Sequence, residues 1–159
     1  MKEPIDIVVD SFRKRGYRKI GEGLYATVVA KDDVAIKICY ARDNLNTIEY
    51  LNYCKTHWKK NPVLPRVYYT RELENGVYCI AMERLKKNTA KSSKHPIVYF
   101  HDNYEDPLSK ENKVLWDKNP MKALKAIKNI SEDEDDMDLH EYNILFRGKQ
   151  PVFVDPLAG

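Results

Sequence analysis

Residues 20–39 read IGEGLYATVVAKDDVAIKIC, and this stretch decides the fold. Two runs rich in β-branched residues, Ala26–Ala30 and Val34–Cys39, lie on either side of the triplet Lys31-Asp32-Asp33. Short polar triplets between such runs are typical of hairpin turns. The stretch therefore predicts antiparallel strands that are joined by a tight turn.

The regions on both sides of this stretch extend the prediction to about the first 85 residues. Apolar residues at near-helical spacing predict a helix over 4–13, and a second helix over 44–58 that ends before Pro62 and Pro65. The second helix is expected to place Ile48, Leu51, Cys54 and Trp58 near one face. Two further β-rich runs, 66–71 and 77–82, are joined across Asn75-Gly76, a strong hairpin signal because both residues tolerate positive φ. We expect a helix, an antiparallel sheet of about five strands, and one inserted helix.

The second half of the chain has a different pattern. Residues 86–120 begin with a polar connection and lack clear periodicity, whereas the apolar spacing over 121–130 predicts a helix. Two short β-rich runs, 144–146 and 152–154, are joined by a turn that contains Gly148. We therefore expect an α+β protein with one lobe over 1–85 and a second, smaller lobe over 86–159.

Composition limits the class of protein. Of the 159 residues, 43% are hydrophobic and 32% are charged, which argues against global disorder. No apolar run approaches the roughly 18 residues that would cross a bilayer, so no membrane partner is expected. The net charge of +3 does not favour a dedicated nucleic-acid binder. The three cysteines lack metal-ligand spacing and are predicted to be buried thiols.

Three residues of the first lobe are candidates for phosphate chemistry. Gly21 and Gly23 lie between two predicted strands, where missing Cβ atoms would let backbone N–H groups approach phosphate oxygens, although glycine pairs more often mark turns. Lys37 lies in an otherwise apolar strand. It is either an edge lysine that reaches solvent or an ammonium that binds phosphates. Glu49, on the following helix, is the available carboxylate partner for Lys37.

The second lobe carries a set of hard oxygen donors. Asp138 and Asn143 are five positions apart on a predicted loop, and Asp155 follows the hairpin. Aspartate and asparagine in loops are most often turn formers. One carboxylate can also deprotonate a hydroxyl, while an amide oxygen and a second carboxylate can hold Mg²⁺.

The order of these elements resembles that of the protein-kinase-like fold. The resemblance implies a hinge over residues 82–85, with the backbone of Glu83 and Leu85 facing adenine and the side chains of Val28 and Ala35 covering the purine ring. It further implies that Lys37 binds the phosphates of ATP and that Glu49 orients Lys37. Asp138 would then be the catalytic base, and Asn143 and Asp155 would hold Mg²⁺.

More narrowly, the chain is similar to the early serine/threonine protein kinases of T7-like bacteriophages. The segments that carry this similarity are 20–30, 34–38, 64–68, 138–146 and 151–156. The family implies phosphorylation of host bacterial proteins by ATP on serine and threonine, in the cytoplasm of the bacterial host.

Departures from the kinase pattern leave other functions open. Met137 replaces the arginine that precedes the catalytic aspartate in many kinases, and Pro156-Leu157 replaces Phe-Gly. No activation segment follows Asp155 before Gly159. A kinase-like protein that inhibits a host factor by binding is therefore the alternative, and the acidic run 132–136 is either a solvated loop or a contact for such a partner.

Three further expectations concern His140, small-molecule kinase activity and the oligomeric state. His140 would order the catalytic loop through a hydrogen bond. A small-molecule kinase related to aminoglycoside kinases ranks last, because those enzymes build their acceptor site from a large helical region. The sequence does not decide the oligomeric state, although a dimer could bury the exposed face of a shortened lobe.

Overall fold

The computed structural model describes residues 1–87, 118–130, 144–148 and 150–154. The predicted features at 86–120 are therefore described only at 86–87 and 118–120, and those at 131–143 and 155–159 lie outside the described residues. Three helices and seven strands are described. They are α1 Pro4–Lys14, β1 Arg18–Glu22, β2 Ala26–Lys31, β3 Val34–Tyr40, α2 Leu45–His57, β4 Val67–Glu72, β5 Val77–Glu83, α3 Lys118–Ile130, β6 Ile144–Arg147 and β7 Gln150–Phe153.

Five of these strands form one antiparallel sheet in the order β1-β2-β3-β5-β4, which confirms the predicted architecture. The β2–β3 hairpin turns at Asp32, which adopts a positive φ of 52°, and Lys31 already pairs with Val34. The turn before β5 has positive φ at both Asn75 and Gly76, as predicted for this pair. Strand β3 lies in the middle of the sheet because β5, which follows β4 in the chain, is inserted between β3 and β4.

Helix α1 covers one face of the sheet. Its Val9 and Phe12 side chains are buried in a core cluster with Val29, Ile36 and Ile38. Because side chains alternate between the two faces of a strand, the even-numbered residues of β3 point to this helix and the odd-numbered ones point away. Phe12 also meets the Tyr17 ring edge-on, at a centroid distance of 5.2 Å.

Helix α2 packs against the opposite face. Asn52 accepts a hydrogen bond from the Thr70 hydroxyl (2.9 Å), and its side-chain amide lies 3.5 Å from the Tyr78 hydroxyl oxygen. At the start of the helix, the Asn44 amide donates to the carbonyl oxygens of Tyr25 and Tyr40, which ties α2 to the sheet. The sheet therefore lies between two helices.

The inward face of α2 differs from the predicted one. The sequence predicted Ile48, Leu51, Cys54 and Trp58 along one face, whereas the buried residues are Thr47, Tyr50, Leu51 and Cys54. The large Tyr50 side chain is completely buried, so the helix is turned about its axis to place it inside.

The described residues divide into two compact units. One contains Met1–Lys55 with Arg66–Arg84, and the other contains Thr56–Pro65 with the chain from Leu85 onward. In the second unit, β6 and β7 form the predicted antiparallel hairpin, with Ile144 opposite Phe153. The Arg147 guanidinium donates to the carbonyl oxygens of Pro62 (3.0 Å) and Leu64 (3.3 Å). These bonds hold the segment Thr56–Pro65 against the β6–β7 hairpin.

Two expectations from composition can be compared with the structure. Cys39, Cys54 and Cys79 are free and buried, as predicted. Within the described ranges, no helix combines the length and the apolar character that crossing a bilayer would require.

Candidate functional site

The centre of the candidate site is Lys37, in the middle strand of the sheet. It lies between Ile36 and Ile38, which point into the α1 core, so Lys37 points to the other face. Its side chain is 8% exposed, which excludes the interpretation of an edge lysine extended into solvent. An ammonium group in such a position is costly unless anionic or polar groups compensate its charge. The burial of Lys37 on this face is consistent with the phosphate role that the sequence predicts.

The sheet register brings four predicted site residues together on this face. Val28 and Ile80 are the cross-strand neighbours of Lys37, and Gly21 is opposite Val28 on the next strand. Ala35 stands in the adjacent row. Directly opposite residues in an antiparallel pair have Cβ atoms about 4.5–5.5 Å apart. Gly21, Val28, Ala35 and Lys37 thus form one continuous patch, as their predicted roles require.

Two further residues lie on this face: Met82, which the sequence placed in the predicted hinge, and Ile80, which it did not identify. Met82 pairs with Ala35, and Ile80 pairs with Lys37; both side chains are buried. The alternation of β5 could have placed them on this face, but its register against β3 could not be obtained without the structure. Ile80 and Met82 thus add two buried apolar side chains to the sheet face that carries Lys37.

The two glycines differ slightly from their predicted setting. Gly21 belongs to strand β1 and does not lie between strands, whereas Gly23 follows β1 and donates its N–H to the Ala26 carbonyl (2.9 Å). Neither has a positive φ. A Cβ at Gly21 would lie 3.9 Å from the Val28 Cβ, and at Gly23 it would meet nothing within 4 Å. The folded chain itself therefore does not demand glycine at either position, which leaves room for a ligand there.

Glu49 is not joined to Lys37. It is exposed on α2, and none of the ion pairs among the described residues links its carboxylate to the Lys37 ammonium. The rotation of α2 that buries Tyr50 explains this position, because Glu49 is next to Tyr50 but lies outside the buried face. The structure brings Lys37 together with Gly21, Val28 and Ala35, but not with Glu49.

The predicted hinge is partly used for strand pairing. Glu83 belongs to β5, and its N–H donates to the Arg66 carbonyl (2.9 Å) while its Oε1 accepts from the Arg66 N–H (3.0 Å). The N–H of Arg84 donates to the Asp33 carbonyl (2.8 Å). These two N–H groups are therefore engaged within the protein, and the contact of the Glu83 backbone with adenine stays a prediction. Leu85 belongs to the second unit and is half-buried.

The predicted oxygen donors lie outside the described residues. These are Asp138, Asn143 and Asp155, and His140 and the acidic run 132–136 lie outside them as well. In the sequence, Asn143 directly precedes β6, and Asp155 comes two residues after the end of β7. Within the described ranges, no three His, Cys, Asp or Glu residues cluster as metal ligands would.

Comparison with known proteins shows the fold. No protein-family model matches the chain, and no curated protein matches its sequence. Among solved structures, Rad53 1-466 in complex with AMP-PNP matches 88% of this chain at 17% identity and a TM-score of 0.51. The chain spans 37% of that protein. The α+β fold with its five-stranded antiparallel sheet is therefore protein-kinase-like, as the sequence predicted.

Two other solved structures are more distant. The GDP and kanamycin complex of APH(2")-IIia is 10% identical, with a TM-score of 0.49 over 96% of this chain and 72% of that one. The kinase PK-1 of the Cydia pomonella granulovirus is 12% identical, with a TM-score of 0.45 over 93% of this chain and 56% of that one.

Proposed function

We propose that this chain is an ATP-dependent protein kinase of the phage type, which transfers the γ-phosphoryl group to serine or threonine hydroxyls of host bacterial proteins. The observation that carries the proposal is the buried Lys37, on the same sheet face as Gly21, Val28 and Ala35. A buried lysine next to a glycine-containing hairpin is suited to bind a phosphate chain beneath a purine base.

Each residue has a separate task in this proposal. Val28 and Ala35 contact the purine ring, Lys37 neutralises phosphate charge, and the backbone at Gly21 and Gly23 approaches the phosphate oxygens. Because Glu83 and Arg84 use their N–H groups in the protein, the adenine edge is bound by other backbone groups of residues 82–85, among them those of Leu85.

The transfer itself is assigned to the second lobe. Asp138 accepts the proton of the attacking hydroxyl while the new oxygen–phosphorus bond forms and the bond to the β-phosphate oxygen breaks. Asn143 and Asp155 would hold Mg²⁺, since amide and carboxylate oxygens suit this hard cation. When bound, Mg²⁺ supplies positive charge to the phosphates.

Two observations support the proposal from different sides. The kinase-like fold is shared with Rad53, whose structure was solved with the ATP analogue AMP-PNP. The restriction to serine, threonine and host proteins comes from the resemblance to the phage kinases in the segments 138–146 and 151–156.

Nucleotide binding is tested first, by titration of the chain with a fluorescent ATP analogue in the presence of Mg²⁺. Lys37→Met keeps a side chain of similar length in the buried position, and Lys55→Met removes a charge from an exposed position of α2 as the matched control. We expect saturable binding that Lys37→Met weakens by about tenfold or more, as for loss of a charged hydrogen-bonding partner. Equal affinity of the two variants would contradict the role of Lys37.

Transfer is tested with γ-labelled MgATP in a bacterial lysate, using the wild-type chain and Asp155→Ala. Labelled protein bands that disappear in the variant would support a working kinase and provide its targets. Absence of label from a folded, nucleotide-binding chain would reject phosphotransfer. The alternative, a kinase-like protein that inhibits a host factor by binding, would then be the better explanation.

A further inference from the structure

A groove lies on the sheet face that points away from Lys37. It runs between helix α1 and strands β4 and β5 and has a volume of about 610 Å³. Its apolar lining includes Val8, Phe12, Leu73 and Cys79, and its charged lining consists of Arg15 and Arg71. Since Phe12 and Cys79 belong to the α1 core, the floor of this groove is the surface of the core itself. The proposed kinase chemistry makes no use of it.

The charges at this groove are of one sign. The Arg15 guanidinium lies 4.3 Å from the centre of the Phe12 ring, at the wall of the groove, and Arg71 is exposed on β4. Among the described residues, neither guanidinium forms an ion pair with a carboxylate. Burial raises the pKa of the Cys79 thiol on the groove floor, and the positive charges of Arg71 and Arg15 lower it by a smaller amount. An anionic group in the groove would therefore meet two guanidinium groups, of which that of Arg15 also donates through Nε to the Ser11 carbonyl (3.4 Å).

The positive charge continues beyond the end of α1. A neighbouring cavity of about 640 Å³ is lined by Arg13, Arg18 and Lys19 together with Gly16 and Tyr17. Lys19 is paired with Glu22 at 2.8 Å, whereas no ion pair of the described chain includes Arg13 or Arg18. The surface around the C-terminal end of α1 thus has an excess of cations, which attracts an acidic partner.

The rim of the groove has the composition of a protein-binding surface. Tyr69 lines the groove and is 44% exposed, and Ile7 lines it from α1 and is also exposed. Tyrosine and arginine are enriched among the residues that dominate binding energy at interfaces. Strand β4 is at the edge of the sheet, so one row of its backbone groups has no strand partner within the described chain. Such an edge suits an extended peptide.

We propose that this groove binds an extended acidic peptide segment of a partner protein. An apolar side chain of the peptide occupies the space above Phe12 and Cys79, and its carboxylates pair with Arg15 and Arg71. The apolar floor favours a peptide over a nucleic acid, whose repeated phosphates would match the cations but leave this floor without an apolar partner.

The test selects ligands from a random-octapeptide display library on the immobilised full chain. Selected peptides are then synthesised with a fluorophore, and their binding is measured by anisotropy. Ser11→Trp fills the groove from an exposed position of α1, and Arg71→Glu reverses one of its charges. Lys14→Glu makes the same charge reversal on an exposed residue of α1 that does not line the groove, and it is the matched control.

We expect the selected peptides to combine glutamate or aspartate with an apolar or aromatic residue. Ser11→Trp and Arg71→Glu should each weaken binding by about tenfold or more, and Lys14→Glu by much less, because only the first two change the groove. Circular dichroism confirms that each variant is folded.

Four results would overturn the proposal. One is the absence of enriched peptides, and another is enrichment without acidic residues. The third is equal binding by Ser11→Trp, Arg71→Glu and the wild-type chain. The fourth uses oligothymidylate as a competitor of the bound peptide. If oligothymidylate displaces the peptide and only Lys14→Glu lowers its affinity, the chain has a nucleic-acid surface and the groove is rejected as the binding site.

Discussion

Lys37 and Glu49 illustrate how burial distinguishes two charged residues that the sequence grouped together. Lys37 is almost fully buried in the middle of the sheet, whereas Glu49 is exposed on α2. A buried ammonium needs compensating groups, but an exposed carboxylate is satisfied by water. The structure therefore buries Lys37 within the sheet and leaves Glu49 in solvent, so substitutions at the two positions are expected to differ in effect.

We expect Glu49→Gln to change the affinity for the fluorescent ATP analogue by less than about twofold, because exposed charges contribute little to binding at a distance. Lys37→Met, measured in the same titration, shows how large the loss of affinity is when a residue of the proposed site is changed. A tenfold loss in Glu49→Gln would show that the Lys37–Glu49 ion pair forms once nucleotide is bound.

Cys79 gives a prediction for the pH dependence of stability. Burial raises the pKa of its thiol from 9.0 to about 11. Since the folded state retains the proton while the unfolded state releases it, this contribution to the free energy of unfolding is complete below pH 9 and is lost as the pH rises to about 11. The slope from one such group is at most about 1.4 kcal/mol per pH unit.

Urea unfolding at several pH values between 8 and 11 measures this slope. The Cys79→Ala variant should show a smaller loss of stability than the wild-type chain between pH 9 and pH 11. Parallel curves for the two proteins would contradict a raised thiol pKa in the folded state.

At the scale of elements, the two glycine-containing turns of the sheet have different physical requirements. Gly76 has a φ of +74°, so a side chain there is strained although a Cβ would meet nothing within 4 Å. Gly23 has no such φ and is equally open. The turn before β5 therefore needs glycine for its backbone, and the turn before β2 does not.

We expect Gly76→Ala to lower the free energy of unfolding by about 1–2 kcal/mol, the cost of left-handed backbone for a residue with a Cβ. Gly23→Ala should change it by less than about 0.5 kcal/mol. Chemical denaturation of both variants measures the difference. Equal destabilisation would contradict the assignment, while a loss of nucleotide affinity confined to Gly23→Ala would support the proposed phosphate role of that turn.

At the scale of the whole molecule, helix α1 covers the core on one face of the sheet in the first unit. Phe12 is 6% exposed and belongs to a core cluster with residues of three strands, β2, β3 and β5. We expect Phe12→Ala to destabilise the chain by about 3 kcal/mol or more, because the lost contacts leave a cavity beneath the helix. Ile7→Ala, on the exposed side of α1, is the control and should have little effect.

Urea unfolding monitored by circular dichroism compares these two variants. A similar small effect of both substitutions would mean that α1 is not a structural part of the sheet domain. Because Phe12 also lines the proposed peptide groove, Ser11→Trp and not Phe12→Ala remains the appropriate variant for the binding test.

The amino-acid sequence by itself determined the local structure of this protein. Alternating β-branched residues and the Asn75-Gly76 turn specify strands and hairpins through short-range backbone preferences, so five antiparallel strands and the β6–β7 hairpin could be predicted. The order of the motifs was sufficient to predict a kinase-like fold, which the likeness to Rad53 confirms. The residues at 138, 143 and 155 remain predictions.

Tertiary structure alone decided which side chains meet. Cross-strand register, set by packing over the whole sheet, aligns Gly21, Val28 and Lys37 in one row. Helix α2 is oriented so that Tyr50 is buried, and this orientation leaves Glu49 in solvent. The groove beside α1 exists because residues distant in sequence, such as Arg15 and Arg71, are brought to one surface. Periodicity within one element contains no information about such contacts, since they depend on how elements pack together.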